Sequence, residues 1–130
     1  FMYRGETIYG SDGVAGEIGH LPISDNRRKC TCNHRQGCCE TVASGWRLVQ
    51  IRDKNFPDTP VPDLFVRHKN EPVLQTFVYD CARVIALTGN LLNSAYTVVG
   101  GGIVDGVCLR NRLPLLTIVP LEAKSSQRSG

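Results

Sequence analysis

Between residues 13 and 40 the chain gathers side chains that can do chemistry. Gly13-Val14-Ala15-Gly16-Glu17-Ile18-Gly19-His20 is followed by Cys30-Thr31-Cys32 and then by Gly37-Cys38-Cys39-Glu40. An imidazole, several thiols and two carboxylates, punctuated by glycines, are the inventory of a small zinc knot with a polar ligand site beside it. A structural zinc takes four tetrahedral ligands, commonly three thiolates with one imidazole or four thiolates, and one turn readily supplies a close Cys-x-Cys pair. Cys30 and Cys32 form such a pair, Cys38 lies one loop onward, and His20 stands upstream at the end of the glycine segment. A Zn2+ held by His20, Cys30, Cys32 and Cys38 would tie the loop to the chain ahead of it and add folding free energy directly. Cys39 and His34 sit inside the same cluster, and spacing alone leaves them open as substitute ligands.

Composition sets the frame for that knot. With 130 residues, 42% hydrophobic and 21% charged, the sequence reads as one globular domain of ordinary size. No apolar run approaches the ~20 residues needed to span a bilayer, and the N-terminus has no signal-like apolar region, so no membrane partner is expected. The formal charge of +3 is mild. Its basic residues gather at Arg27-Arg28-Lys29 without interleaved aromatics, which does not make a nucleic-acid surface. Nothing points to secretion, and four of the six cysteines fall within residues 30–39, so a reduced cytoplasmic protein with metal-binding thiols fits better than a disulfide framework. Cys81 and Cys108 lie in apolar contexts and read as small hydrophobes.

The elements that must position the cluster follow from periodicity and breakers. Residues 2–9 read as a strand, with Thr7, Ile8 and Tyr9 after a turn at Arg4-Gly5-Glu6. Glycines at 10, 13, 16 and 19 mark backbone that turns sharply or approaches something closely. Ile18 to Ile23 reads as a short strand, and Glu40 to Arg52 as a helix with Val42, Trp46 and Val49 on its inner face. Pro57, Pro60 and Pro62 make residues 53–63 a loop. Leu74, Phe77, Val78, Cys81, Val84, Ile85, Thr88, Leu91 and Leu92 carry helical spacing from Asn70 to about Leu92, with Asn70 as N-cap and Pro72 in the first turn. Tyr96 to Val99 reads as a short strand ending in Gly100-Gly101-Gly102, so the class is α/β. Residues 106–130 are expected to form a divergent, poorly ordered tail.

Gly16-Glu17-Ile18-Gly19-His20 resembles the Glu-x-Gly-His motif of the ROK family, and Cys30-Thr31-Cys32 through Gly37-Cys38-Cys39-Glu40 is similar to that family's zinc motif. The resemblance continues through Ser44-Gly45, Asp63-Leu64-Phe65-Val66 and Val98-Val99-Gly100-Gly101-Gly102, covering residues 3–105. Within the family, residues 11–23 and 62–68 look most like D-allose kinases. Within the zinc motif two features depart from the pattern: Asn33 replaces a glycine, and Asn33-His34-Arg35-Gln36 lengthens the loop by one residue. Asparagine also tolerates a left-handed backbone. Ahead of the glycines, Asn93-Ser94-Ala95 stands where the family has Asp-Pro-Asp.

What the resemblance implies is a partial actin-like, RNase H-like second lobe with a structural zinc loop. Glu17, His20 and Glu40 would bind a hexose, and His20, Cys30, Cys32 and Cys38 would hold the zinc. Gly100, Gly101 and Gly102 would let the backbone approach ATP, which the parent kinase uses with Mg2+. A homodimer is also implied. No catalytic residue is assigned, because neither the family's Asp-x-Gly-x-Thr phosphate loop nor its catalytic aspartate occurs here, and Asp12 and Asp25 lie outside that context. The expectation is therefore a kinase fragment, inactive alone. The alternative is a fragment of a sugar-responsive repressor of the same family, whose nucleic-acid partner would be bound by a segment not in this sequence.

Overall fold

Proline and capping residues decide where the helices begin. Helix α1 (Gly45–Asn55) starts at Ser44, whose extended backbone (φ −142°, ψ 164°) and hydroxyl, accepting from Arg47 N at 3.0 Å, form an N-cap of the kind typically worth ~1 kcal/mol. Helix α3 (Pro72–Leu92) starts on Pro72, whose missing N–H costs nothing in a first turn. It ends at Asn93, left-handed at φ 46°, with Ser94 N donating to Gly89 O. Between them a 3-10 turn at Val61–Asp63 runs into the four-residue helix α2 (Leu64–Arg67). In this computed structural model the described residues are 1–33, 36–94 and 96–102.

The core is where these three helices meet. Leu48 and Ile51 of α1, Leu64 and Phe65 of α2, and Leu74 and Phe77 of α3 form one buried cluster, with Phe56, Val61, Val73, Val78 and Cys81 packed around it. Each fully buried side chain of this kind contributes roughly 1.5–3 kcal/mol of apolar burial. Phe56 stacks on His68 (centroids 4.3 Å apart), and His68 Nε2 lies 3.0 Å from the buried Thr59 hydroxyl, which pins the proline-rich connection.

Several expectations need correction. The helix expected from Glu40 begins at Gly45, after a separate 3-10 turn at Cys39–Thr41. Its inner face is Leu48 and Ile51, whereas Trp46 and Val49 are exposed, because α2 and α3 approach from the other side. Ile18–Ile23 is no strand: residues Ile18–His20 form a 3-10 turn, and Pro22 makes only an isolated bridge to Cys38. The N-cap of α3 is Glu71, one residue beyond Asn70. Tyr96 and Val98 are exposed and unpaired, so the strand expected there does not form. Among the described residues the β content is a hairpin, β1 (Met2–Tyr3) with β2 (Glu6–Thr7), turned by Arg4 and Gly5; Ile8 and Tyr9 of the strand expected over 2–9 lie outside it, and Glu6 belongs to β2 and not to the turn. The architecture is thus mixed α/β. No described helix is long and apolar enough to cross a membrane. The expected tail at 106–130, Cys108 and His34 lie outside the described residues.

Candidate metal centre and the adjoining polar site

Backbone pairing brings the ligands together. The antiparallel bridge Lys29↔Gln36 closes a loop in which Asn33 N donates to Cys30 O at 3.1 Å. Asn33, which stands in place of a glycine, adopts φ 58°, the left-handed region its side chain tolerates. The bridge forms with the extra residue in place. Pro22↔Cys38 pairing and Cys39 N donating to Leu21 O (2.9 Å) then lay the Cys38 segment along the chain that follows His20.

Gly37 is the tightest point of this arrangement. Its φ is 72°, and a Cβ there would sit 1.9 Å from Ser24 O, so only glycine fits. Its carbonyl accepts from both Ile23 N (3.0 Å) and Ser24 N (3.1 Å). Asn26 supports the turn from behind: its Nδ2 donates to Ser24 Oγ (2.7 Å) and to Thr41 Oγ1 (3.3 Å). The buried Thr41 hydroxyl itself donates to Cys38 O at 2.8 Å.

One ligand atom each from His20, Cys30, Cys32 and Cys38 falls in a group with every pair within 4.8 Å. A tetrahedral zinc with Zn–S of about 2.3 Å and Zn–N of about 2.0–2.1 Å needs S···S near ~3.8 Å and N···S near ~3.6 Å. His20 Nδ1 and Cys30 Sγ are 3.4 Å apart, so that pair already has the required separation, and the others need contraction of at most about 1 Å. Three thiols and an imidazole are the donor set zinc prefers. Cys39, one of the two substitutes, is outside the group; it is buried, and the positive charge of Arg83 on α3 acts on it. Burial, and then the neighbouring thiols of Cys30 and Cys32, push the Cys38 thiol up to about 11. Without a metal it therefore carries a proton at neutral pH.

A carboxylate abuts the same cluster. Glu40 Oε2 accepts from Thr31 Oγ1 at 3.1 Å and lies 3.5 Å from Cys30 Sγ and 3.8 Å from His20 Nδ1. His20 and Glu40 are thus brought together, with side chains 39% and 29% exposed: one side faces the thiols and the other faces solvent. Glu17 is exposed at the start of the 3-10 turn that carries His20, and its carbonyl accepts from His20 N at 3.3 Å. Gly100, Gly101 and Gly102 stand apart from the cluster in open space, Gly101 with φ 97°.

Thr31 was not visible as a site residue, because it is the unspecified middle position of Cys-x-Cys. Arg83 was equally hidden: it reaches 60 positions back to donate to Ile23 O at 3.0 Å, tying α3 to the segment that leaves His20. Only the tertiary fold reveals a contact of that span.

The ROK family profile matches residues 1–118. A glucokinase of Halalkalibacterium halodurans is 28% identical over 121 aligned residues, covering 77% of this chain and 36% of the relative. An N-acetylmannosamine kinase of Vibrio cholerae is 31% identical over 104 residues, covering 76% of this chain and 36% of the relative. An N-acetylmannosamine kinase of Haemophilus influenzae is 37% identical over 79 residues, covering 59% and 26% respectively. The chain therefore spans about a third of the length of these curated relatives.

Proposed function

The chain belongs to the ROK family, and from that premise we propose that it forms the hexose-binding, zinc-stapled wall of an ATP-dependent sugar kinase. The observation that carries this is the contact between two sites. The His20, Cys30, Cys32 and Cys38 group has a zinc-like donor set, and the partly exposed Glu40 abuts it, with Oε2 3.8 Å from His20 Nδ1. The names of the matched relatives, glucokinase and N-acetylmannosamine kinase, support a hexose as substrate and favour catalysis over the repressor alternative.

In this reading zinc supplies a structural cross-link and takes no part in the reaction. His20 gives Nδ1 to the metal and offers its other ring nitrogen to a sugar hydroxyl. Glu40, fixed by the Thr31 hydroxyl, and Glu17, carried by the same turn as His20, accept hydrogen bonds from further hydroxyls; ionised acceptors make such bonds stronger than neutral ones. Order in the thiol loop then sets the geometry of the sugar contacts. Gly100, Gly101 and Gly102 admit the nucleotide, and the wall belongs to an actin-like, RNase H-like lobe of a cytoplasmic kinase, dimeric in its full form. Phosphoryl transfer depends on positioning and charge stabilisation by groups such as the phosphate loop and a catalytic aspartate. Lacking those motifs, the 130-residue chain binds hexose without turning over ATP.

The test is metal content by mass spectrometry, with melting temperatures in glucose, N-acetylmannosamine and D-allose. D-allose is included for the likeness of residues 11–23 and 62–68. One zinc per chain and a hexose-dependent rise that Glu40→Gln removes are expected. No zinc and no response to any hexose would overturn the assignment, and ATP turnover at an ordinary kinase rate would overturn the claim of inactivity.

A further inference from the structure

Behind the metal loop, on the side of α1 and α3, lies a pocket of ≈ 170 Å3 lined by Arg28, Val42, Arg47, Ile51, Val73, Thr76, Phe77 and Asp80. Two arginines line this one small cavity. Burial, and then the positive charge of Arg28, lower the pKa of Arg47, with Asp80 only partly offsetting this. Arg47 also occupies the first turn of α1, where the helix dipole disfavours a cation. Among the described residues neither arginine is neutralised by a carboxylate of its own. Arg47 reaches only Gln50 Oε1 at 3.4 Å, the Arg28 side chain has no hydrogen-bond or ion-pair partner among the described residues, and Asp80 is paired with Arg83 at 3.3 Å. Arg28, Arg47 and Arg83 thus set three positive charges against the one negative charge of Asp80.

Both arginines are also held on fixed mounts. The backbone of Arg28 is clamped at N by Asn26 Oδ1 (2.9 Å) and at O by Gly37 N (3.3 Å). Arg47 N donates to the Ser44 cap. With the backbone at each arginine fixed, the planar guanidinium forks match the oxygens of an oxyanion. A cavity of this size takes a small ion or one monoester group and is well below the ≈ 300–1,000 Å3 of a site for a whole drug-sized ligand.

We propose that Arg28 and Arg47 form a binding site for a phosphate-type oxyanion in the pocket between the metal loop, α1 and α3, separate from the Glu40–His20 site. It stands independently of the sugar-kinase reading.

The probe is inorganic phosphate, titrated into the metal-loaded chain at constant ionic strength against potassium chloride and potassium acetate. The readouts are the fluorescence of Trp46, adjacent to Arg47, and melting temperature. Saturable binding by phosphate but not by acetate or chloride is expected. Arg47→Gln and Arg28→Gln should each weaken it by roughly tenfold or more, as loss of a charge-assisted bond implies. Arg27→Gln, which removes a neighbouring charge outside the pocket, should leave binding unchanged. Should Arg47→Gln fail to fold, Arg28→Gln, at an exposed side chain, decides the matter alone. Equal response to acetate, no saturation, or an affinity insensitive to Arg28→Gln, meaning an adventitious ion only, would overturn the proposal.

Discussion

Replacing Gly37 by alanine isolates the geometry on which the metal centre rests. At φ 72° an alanine pays about 1–2 kcal/mol for a left-handed backbone. Its Cβ would also lie 1.9 Å from Ser24 O, a backbone atom that no rotamer change can move. Separating the two segments breaks the bonds from Ile23 N and Ser24 N to Gly37 O (3.0 and 3.1 Å), each worth about 1 kcal/mol net. The total is about 3–4 kcal/mol, which at about 4 °C per kcal/mol lowers the melting temperature by about 12–16 °C. Because Cys38 follows directly, zinc should also transfer to a chromophoric chelator at roughly hundredfold lower chelator concentration, the equivalent of about 3 kcal/mol. Gly13→Ala is the internal control: φ is 76° but no atom lies within 4 Å of the added Cβ, so only the backbone penalty applies. Melting and chelator-transfer curves for Gly37→Ala that match those of Gly13→Ala would refute the reasoning.

Two further outcomes follow from the thiols. Since burial and its neighbours hold Cys38 protonated up to about 11, metal uptake must expel that proton. Apparent zinc affinity should weaken as pH falls from 8 to 6, with proton release measurable by calorimetry in two buffers; a pH-independent affinity would contradict the account. Cys81, packed against the helical core, is pushed up to about 12 by burial and then by the Asp80 carboxylate, from an ordinary 9.0. A folded value above the unfolded one stabilises fully below about pH 9 and is lost as pH rises toward 12. The difference corresponds to about 4 kcal/mol at most, less what its partial exposure screens. The melting temperature should fall between pH 9 and 11, and Cys81→Ala should flatten that fall; identical pH profiles would rule the mechanism out.

What could be read from the sequence was what is local in it. The four side chains that the structure gathers within 4.8 Å lie within nineteen positions of one another (20 to 38), and cysteines at short spacing mark such a cluster without tertiary information. Helix α3 was legible because its apolar spacing runs over several turns and Pro72 marks its start. The segment 18–23 was misread because apolar composition favoured a strand, while Gly16 at φ 97° and Gly19 permit the tighter 3-10 turn that presents His20. The face of α1 was misread because Trp46 and Val49 are as apolar as Leu48 and Ile51. Only the docking of α2 and α3 decides between them. Thr31 and Arg83 had no local signature, since their roles exist only once the loop is closed.

The metal loop and the helical core face opposite sides of one short run, and that run explains how a small cluster can govern a larger surface. Within Cys38–Thr41, Cys38 faces the ligand group, Cys39 is buried within the electrostatic reach of Arg83, Glu40 meets His20 and Thr31, and Thr41 closes on Cys38 O and Asn26. The 3-10 turn makes this possible, because about three residues per turn send successive side chains in three different directions. Val42 is buried just after it, and α1 begins at Gly45. A displacement of Cys38 would therefore not stay within the thiol cluster. It would turn the segment that carries Glu40, which Val42 and the Ser44 cap of α1 follow directly in sequence. Among the described residues of 20–38 the buried apolar side chains are Cys30 and Cys38, so this part of the segment has little core of its own. A metal held by His20, Cys30, Cys32 and Cys38 would take the place of the missing core.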